Sequence, residues 1–303
     1  MTAAAARPRT FLDPASLQRL GGLDVIARTM VEGARVGAHR SPLHGFSTEF
    51  AQHRPYVPGD EIRHMDWRLY ARAQRYYIKQ YRAETDLTVH LLLDGSQSMR
   101  FSSGGPDKLT VASYLAAGLA FLVYDQNDRV SFSVFDGESR QVLPPSGSAA
   151  GLQSLDAALR SLEAKPKTDV AGALHGMADG LSRRSMVAVF SDLFDQTDAF
   201  LDGLGHLRHR GHDVAVFHTL DPAEMRFLYD GTVKFIGLEN DGSRVAQPRR
   251  IRAAYLEALH RFLFRVKDAC ERTRAQYVPV ETHHPPAEAL LEFLLGRARR
   301  GRT

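Results

Sequence analysis

Short apolar runs alternate with amphipathic segments over the last two thirds of the chain, and this alternation constrains the fold more than any other feature. The strand-like runs are β-branched or apolar, as in TVHLLLD, MVAVFSD and DVAVFHTL. Continuous apolar strands of this kind are typical of parallel sheets that helices cover on both faces. Between them lie segments with helical periodicity. The sequence therefore predicts an α/β domain with a doubly wound, mainly parallel sheet over residues 86–303.

The predicted elements follow from these periods and from the turn residues between them. The predicted strands are 88–94, 130–136, 186–192, 213–220 and 276–281, with an edge partner at 139–144 and a hairpin within 232–245. The predicted helices are 107–126, 151–163, 168–182, a segment ending near 210, 248–274 and 286–299.

Residues 1–85 lack this alternation. A helix is predicted over 17–36, and residues 37–84 are predicted to be irregular and partly β. Their apolar residues are scattered, and a segment of about 50 residues without disulfides or metal rarely folds alone. We therefore expect the N-terminal segment to pack on the main domain and to shield Trp67, the single tryptophan of the chain.

Composition excludes several classes of protein. The chain has 303 residues and one cysteine, Cys270, so it has neither a disulfide framework nor a cysteine-rich metal site. The first residues show no apolar signal segment, and the longest apolar stretch, 114–124, is shorter than the ~20 residues that cross a bilayer. We expect a cytoplasmic protein without a membrane span.

A D-x-S-x-S sequence, Asp94 to Ser98, follows the first predicted strand. Carboxylate and hydroxyl oxygens suit a hard cation, magnesium above all. Thr168 begins a predicted helix, and Asp192 ends a later predicted strand. Because the carboxyl ends of parallel strands share one sheet edge, these side chains are expected to meet there. The predicted magnesium ligands are Asp94, Ser96, Ser98, Thr168 and Asp192.

These five residues resemble the metal-ion-dependent adhesion site of von Willebrand factor A domains. The resemblance implies that Ser96, Ser98 and Thr168 bind Mg²⁺, or another divalent cation such as Mn²⁺, directly. Asp94 and Asp192 would act mostly through bound water. Where the family usually has T-D-G, this chain has Ser191-Asp192-Leu193.

The charge of such a site indicates recognition rather than catalysis. Neutral hydroxyls leave the metal electrophilic and one coordination position open, which an Asp or Glu of a partner protein can fill. We therefore expect a non-enzymatic, magnesium-dependent protein-interaction module. The simpler alternative is that Asp94 caps a helix, that Ser96 and Ser98 are turn residues, and that Thr168 is only an N-cap.

The N-terminal segment carries a second resemblance. Its motifs are GxHxSP from Gly37, GFSxEF from Gly45, RxYxPGD from Arg54, RxxDW from Arg63, and Ala71-Arg72. Together with HDVAVFHTLDPAE from His212 they resemble the domain of unknown function fifty-eight family, a von Willebrand A-like group. The resemblance implies a partner or adaptor of a MoxR-type AAA+ ATPase, acting in protein complex assembly or cofactor insertion.

The N-terminal signature supports two interpretations, and both stay open. Arginine–carboxylate pairs can hold this segment on the α/β domain. Alternatively, the same arginines and the tryptophan form a partner-binding surface. The candidate partner-binding residues are Arg54, Arg63, Trp67 and Arg72.

Two other functions fit parts of the sequence. A haloacid dehalogenase-like phosphohydrolase also begins with an Asp after its first strand, but the general acid two residues later is here Ser96, which transfers protons poorly. A nucleic-acid-binding protein would use the basic segment 35–82, whose tyrosines can stack on bases. Because no recognised nucleic-acid motif is present, nucleic acid is the less favoured partner.

Overall fold

The computed structural model describes residues 48–57, 65–83, 87–135, 139–165, 170–181, 184–194, 197–238 and 242–300. The chain divides into two compact units, one being Val31–Asp86 and the other including Leu87–Thr303. The predicted helix 17–36, Arg63 and Thr168 lie outside the described residues.

The smaller unit is more regular than expected. Strand β1 (Thr48–Pro55) pairs antiparallel with β2 (Tyr77–Ala83), and helix α1 (Trp67–Ala73) lies between them in the chain. Asp66 caps α1, its carboxylate accepting hydrogen bonds from two backbone N–H groups of the first turn. The predicted β character of this segment is confirmed for the described part, whereas the helix α1 and the regular pairing were not anticipated.

The larger unit alternates strands and helices, as predicted. Its strands are β3 (Thr88–Asp94), β4 (Arg129–Phe135), β5 (Ser139–Ser146), β6 (Met186–Ser191), β7 (Asp213–Leu220), β8 (Val233–Ile236), β9 (Ser243–Ala246) and β10 (Gln276–Glu281). Its helices are α2 (Lys108–Asp125), α3 (Ala149–Ser161), α4 (Val170–Gly180), α5 (Thr197–His209), α6 (Pro222–Arg226), α7 (Pro248–Arg272) and α8 (Pro286–Arg300).

Six strands form one sheet in the order β10-β7-β6-β3-β4-β5. All neighbours are parallel except β4 and the edge strand β5, which confirms the mainly parallel sheet. The chain passes from β3 to β4 on one side and later returns to β6 on the other side. The strand order therefore reverses at β3, and that is where α/β sheets of this type bind ligands.

Two apolar layers cover the sheet. Leu91 and Leu93 belong to one buried cluster with residues of α2, α3 and α8, whereas Leu92 belongs to the other with residues of α4, α5 and α7. Successive strand residues point to opposite faces, so the continuous apolar run of β3 supplies both layers. This arrangement confirms the doubly wound fold.

Helix α2 is the helix within the described ranges that is long and apolar enough to cross a membrane. Of its 18-residue window, 72% is buried against the rest of the larger unit. A helix that is apolar all round is as typical of a protein core as of a membrane span, and here it packs against the sheet.

Candidate functional site

Two predicted acidic ligands lie side by side at the edge where the strand order reverses. Asp94 is the last residue of β3, and Asp192 directly follows β6. The two strands are parallel neighbours, with Leu93 opposite Phe190. Asp94 and Asp192 are 4% and 2% exposed, so both carboxyl groups are buried at the carboxyl end of the sheet.

The Asp94 carboxylate is held on both oxygens. Its Oδ1 accepts a hydrogen bond from the Ser96 N–H at 2.9 Å, and its Oδ2 accepts one from the Ser191 hydroxyl at 2.5 Å. Burial and, to a lesser extent, the nearby Asp192 carboxylate raise the pKa of Asp94 to about 7, although the hydrogen bonds from Ser191 and Ser96 oppose the shift. Both described hydrogen-bond donors to this buried carboxylate are uncharged.

The loop after β3 brings two hydroxyls together. The Oγ atoms of Ser96 and Ser98 lie 2.8 Å apart. The loop is fixed by backbone hydrogen bonds: the Lys165 N–H donates to Gly95 O at 2.8 Å, and the Gln97 N–H donates to Lys165 O at 2.9 Å. The chain leading towards Thr168 therefore runs beside this loop as far as Lys165, the last described residue before Thr168.

Asp192 forms a buried ion pair that the sequence did not reveal. Its Oδ2 lies 2.7 Å from the Lys108 ammonium, which also lies 2.7 Å from Oε1 of Glu224. The Lys108 side chain is fully buried. Burial works against the charge of Lys108, but Asp192 and Glu224 outweigh it and raise its pKa. Asp192 and Glu224 thus share a single protein cation.

His218 on β7 is hydrogen-bonded to the backbone of Asp192. Its Nε2 is 2.8 Å from the Asp192 carbonyl and its Nδ1 is 3.0 Å from the Tyr277 hydroxyl. The carbonyl can only accept, so Nε2–H donates to it and Nδ1 accepts from the hydroxyl. Burial lowers the pKa of His218 to about 4, so the ring is neutral at pH 7.

The turn after Asp192 has an unusual backbone. Leu193, which stands where the family usually has glycine, adopts a φ of 57°. This left-handed region favours glycine, and a bulky residue there is strained. The Leu193 N–H donates to the Ser191 hydroxyl at 3.0 Å, and its side chain is 3% exposed. At the position where the family usually has glycine, this turn therefore holds a left-handed leucine packed in the core.

The donor set fits a hard divalent cation. Adjacent ligands of six-coordinate Mg²⁺ at about 2.1 Å lie about 3.0 Å apart, close to the 2.8 Å between the Ser96 and Ser98 hydroxyls. Both Asp94 oxygens are already acceptors, and Asp192 pairs with Lys108. The two serine hydroxyls are hydrogen-bonded to each other, and each oxygen has a further lone pair with which it can bind a cation directly. The two carboxylates fit a supporting role through water.

The structure places the predicted residues Asp94, Ser96, Ser98 and Asp192 at one sheet edge. Lys108, Glu224 and His218, which lie beside Asp192, were not predicted from the sequence. One signal was available for Lys108, since a cation in the first turn of a helix opposes the helix dipole and needs a compensating partner. Glu224 belongs to a capping box with Asp221 at the start of α6, a five-residue helix with no apolar period.

The candidate partner-binding residues are described only in part. Arg54 lies on β1 opposite Ile78, and Trp67 and Arg72 lie on α1 with exposed side chains. Trp67 is 58% exposed, and its shielding by the larger unit stays a prediction. It is the first residue of α1, and its ring meets Tyr70 edge to face with centroids 6.3 Å apart.

Comparison with known proteins identifies the relatives of the chain. Residues 52–262 match the family model described as Protein of unknown function DUF58, which confirms the family resemblance seen in the sequence. The uncharacterized protein Rv1480 of Mycobacterium tuberculosis (strain ATCC 25618 / H37Rv) is 26% identical over 227 residues, which are 73% of this chain and 70% of the relative.

Two solved structures are among the matches of the chain. The conserved hypothetical protein BatB from Bacteroides thetaiotaomicron superposes with a TM-score of 0.46 and 18% identity, covering 71% of this chain and 99% of BatB. A von Willebrand factor type A protein from Catenulispora acidiphila gives a TM-score of 0.41 and 11% identity, covering 72% of this chain and 43% of that protein.

Proposed function

The chain belongs to the DUF58 family of proteins of unknown function, and from the geometry of its polar sheet edge we propose that it is a magnesium-dependent protein-interaction module. The observation that carries this proposal is the paired hydroxyls of Ser96 and Ser98, 2.8 Å apart, beside two buried carboxylates at the strand-order reversal. Mn²⁺ suits the same oxygen donors. We include Thr168 among the ligands because Lys165, three residues earlier in the chain, is hydrogen-bonded to the loop.

The charge of the buried cluster supports this assignment. Asp192 and Glu224 share the buried Lys108 ammonium. Burial and the nearby Asp192 carboxylate raise the pKa of the neighbouring buried Asp94, so the ionised form of Asp94 is disfavoured there. Buried charges are costly unless they are paired, so a divalent cation at this edge would remove a penalty that the protein side chains leave uncompensated.

The arrangement of side chains favours recognition over catalysis. When bound, Mg²⁺ supplies an electrophilic position for an incoming carboxylate. Ser96, 2% exposed, stands where a phosphohydrolase of the haloacid dehalogenase type needs its general acid, and a hydroxyl transfers protons poorly at neutral pH. Asp94 and Asp192 are engaged by hydrogen bonds and an ion pair. We therefore propose a non-enzymatic role.

We propose that the partner supplies the acidic ligand and is a MoxR-type AAA+ ATPase or its client, in the cytoplasm. This assignment rests on what the resemblance of the sequence motifs to the family implies. The role would be that of an adaptor in protein complex assembly or cofactor insertion.

Binding of the purified ATPase from the same genome tests the proposal. Immobilised full-length protein is expected to capture it at least ten times more tightly with Mg²⁺ than with EDTA, and Asp94→Ala is expected to lose this difference while staying folded. Asp230→Ala, which removes an exposed carboxylate paired with Arg249, is the matched control and should capture normally. Capture that is equal with EDTA contradicts the role of the metal, and no capture under either condition contradicts the assigned partner.

A further inference from the structure

The turn after β10 brings three side chains with metal-binding atoms together. Glu281, His283 and His284 each offer one ligand atom, and these atoms all lie within 4.8 Å of one another. His283 Nδ1 is 3.5 Å from Oε2 of Glu281, and the two imidazole rings have centroids 4.0 Å apart. Both histidines are exposed, so a cation from solvent can reach them.

Backbone contacts fix this turn before any ligand arrives. The His284 N–H donates to the Glu281 carbonyl at 3.0 Å. The Thr282 N–H donates to the Leu220 carbonyl at 3.0 Å, and the Thr282 hydroxyl is 3.4 Å from Oδ2 of Asp221. The turn is thus tied to the end of β7, and only side-chain rotations remain to be fixed on binding. A preorganised turn loses less entropy when it binds.

The ligand chemistry differs from that of the serine site. Two imidazoles and one carboxylate are the donors of zinc and related transition ions, whereas Mg²⁺ prefers oxygen alone. Ligands of tetrahedral Zn²⁺ at about 2.0–2.1 Å lie about 3.4 Å apart. Small rotations of exposed side chains bring atoms within 4.8 Å to this spacing at little cost.

We propose that Glu281, His283 and His284 form a second metal site, for Zn²⁺ or a similar divalent transition ion. Three protein ligands leave a fourth tetrahedral position for water or for a side chain of a bound partner. The site is independent of the serine site. β10 is three strands from β3 in the sheet order, which is about 14 Å at the usual strand spacing.

Calorimetric titration of the full-length protein with Zn²⁺, without a histidine tag, tests the proposal. His283→Ala and His284→Ala are each expected to weaken Zn²⁺ binding about tenfold or more, because each removes one of three ligands. Glu281→Gln is expected to weaken it in the same direction. Titration with Co²⁺ adds a spectroscopic check, because tetrahedral Co²⁺ has strong absorption bands in the visible range. These bands should appear for the wild type and be absent for the His283→Ala/His284→Ala double variant.

Two controls separate this site from other histidines. His175 and His206 also face each other, with their Nδ1 atoms 2.9 Å apart, so His206→Ala tests a different pair. His260→Ala removes an exposed histidine from α7. Both controls should bind Zn²⁺ as the wild type does, and so should Asp94→Ala, which separates this site from the proposed function. Unchanged Zn²⁺ binding by the double variant, or no binding by the wild type, overturns the proposal.

Discussion

Lys108 is the residue on which the charge balance of the buried cluster depends. Replacing it by methionine keeps most of the volume but leaves Asp192 and Glu224 without their shared cation. Breaking a buried ion pair on one side costs about 3–5 kcal/mol, because the remaining charge stays desolvated. We expect Lys108→Met to lower the free energy of unfolding by that amount, as measured by urea denaturation at pH 7.

The matched control is Lys267→Met on α7, where the ion pair with Glu271 is exposed and 4.0 Å long. Exposed pairs contribute little, so this variant should change the stability by less than about 0.5 kcal/mol. Adding Glu224→Gln to Lys108→Met removes one unpaired carboxylate and should recover part of the loss. If Lys108→Met unfolds at the same urea concentration as the wild type, the buried cluster does not carry the charge described.

His90 on β3 makes the stability depend on pH. Burial lowers its pKa to about 4, with a smaller contribution from His212, and its Nδ1 contacts the Ser131 hydroxyl. The folded pKa lies below the usual 6.5, so the unfolded chain binds more protons between these values and stability falls as the pH falls. Between pH 7 and pH 5 we expect His90 to account for a loss of about 1–2 kcal/mol.

Denaturation at both pH values checks this assignment. His90→Asn keeps a polar atom near Ser131 but does not titrate, so its loss between pH 7 and pH 5 should be smaller than that of the wild type by about 1–2 kcal/mol. His260→Asn changes an exposed histidine and should leave the pH dependence as it is. An equal loss in His90→Asn and the wild type would show that His90 does not titrate as described.

At the scale of elements, the contact between α4 and α5 requires a glycine. A Cβ at Gly203 would lie 2.7 Å from the Leu174 Cβ, whereas a Cβ at Gly205 on the same helix meets nothing within 4 Å. Gly203→Ala should therefore destabilise the protein by about 1–3 kcal/mol. Gly205→Ala should stabilise it by about 0.5–1 kcal/mol through helix propensity. Urea denaturation should show a lower free energy of unfolding for Gly203→Ala and a higher one for Gly205→Ala. A higher free energy of unfolding in both variants would mean that the helices are not packed as described.

The buried strands were the elements most readily predicted from sequence. The bounds of β3, β7 and β10 match the predictions at both ends. In a sheet covered on both faces, a strand extends over its apolar residues and ends at the flanking polar ones, so the apolar run marks the strand. The hairpin β8–β9 was located by its turn residues. The N-terminal segment was predicted to be partly β, but the positions of β1 and β2 were not predicted because neither pattern nor composition separates such polar strands from loops.

The site was predictable to the extent that a local motif defines it. Asp94, Ser96 and Ser98 follow one strand, and Asp192 was placed by the rule that ligands bind at strand carboxyl ends. Lys108 and Glu224 meet Asp192 only through tertiary packing, 84 and 32 residues away along the chain, and no short spacing encodes that contact. The sequence shows that Leu193 departs from the family pattern, but it does not show that this residue adopts a left-handed conformation.

At the scale of the whole molecule, the two units differ in how many apolar residues they bury. The larger unit has two apolar layers and the candidate site. The smaller unit buries Met65, Asp66 and Ile78 among its described residues. Small segments with few buried apolar residues rarely fold alone. That residues 37–84 depend on the α/β domain for stability therefore remains a prediction.

The central claim is that a divalent cation binds at the edge where β3 and β6 end, and direct titration with Mg²⁺ tests it most closely. The wild-type protein should bind one Mg²⁺, and the double variant Ser96→Ala/Ser98→Ala should bind it at least ten times more weakly while unfolding at a similar temperature. Ser154→Ala, an exposed hydroxyl on α3 that bonds only locally to the Ala150 carbonyl at 2.9 Å, is the control and should bind as the wild type does. Equal Mg²⁺ binding by the folded double variant, or none by the wild type, would contradict the claim.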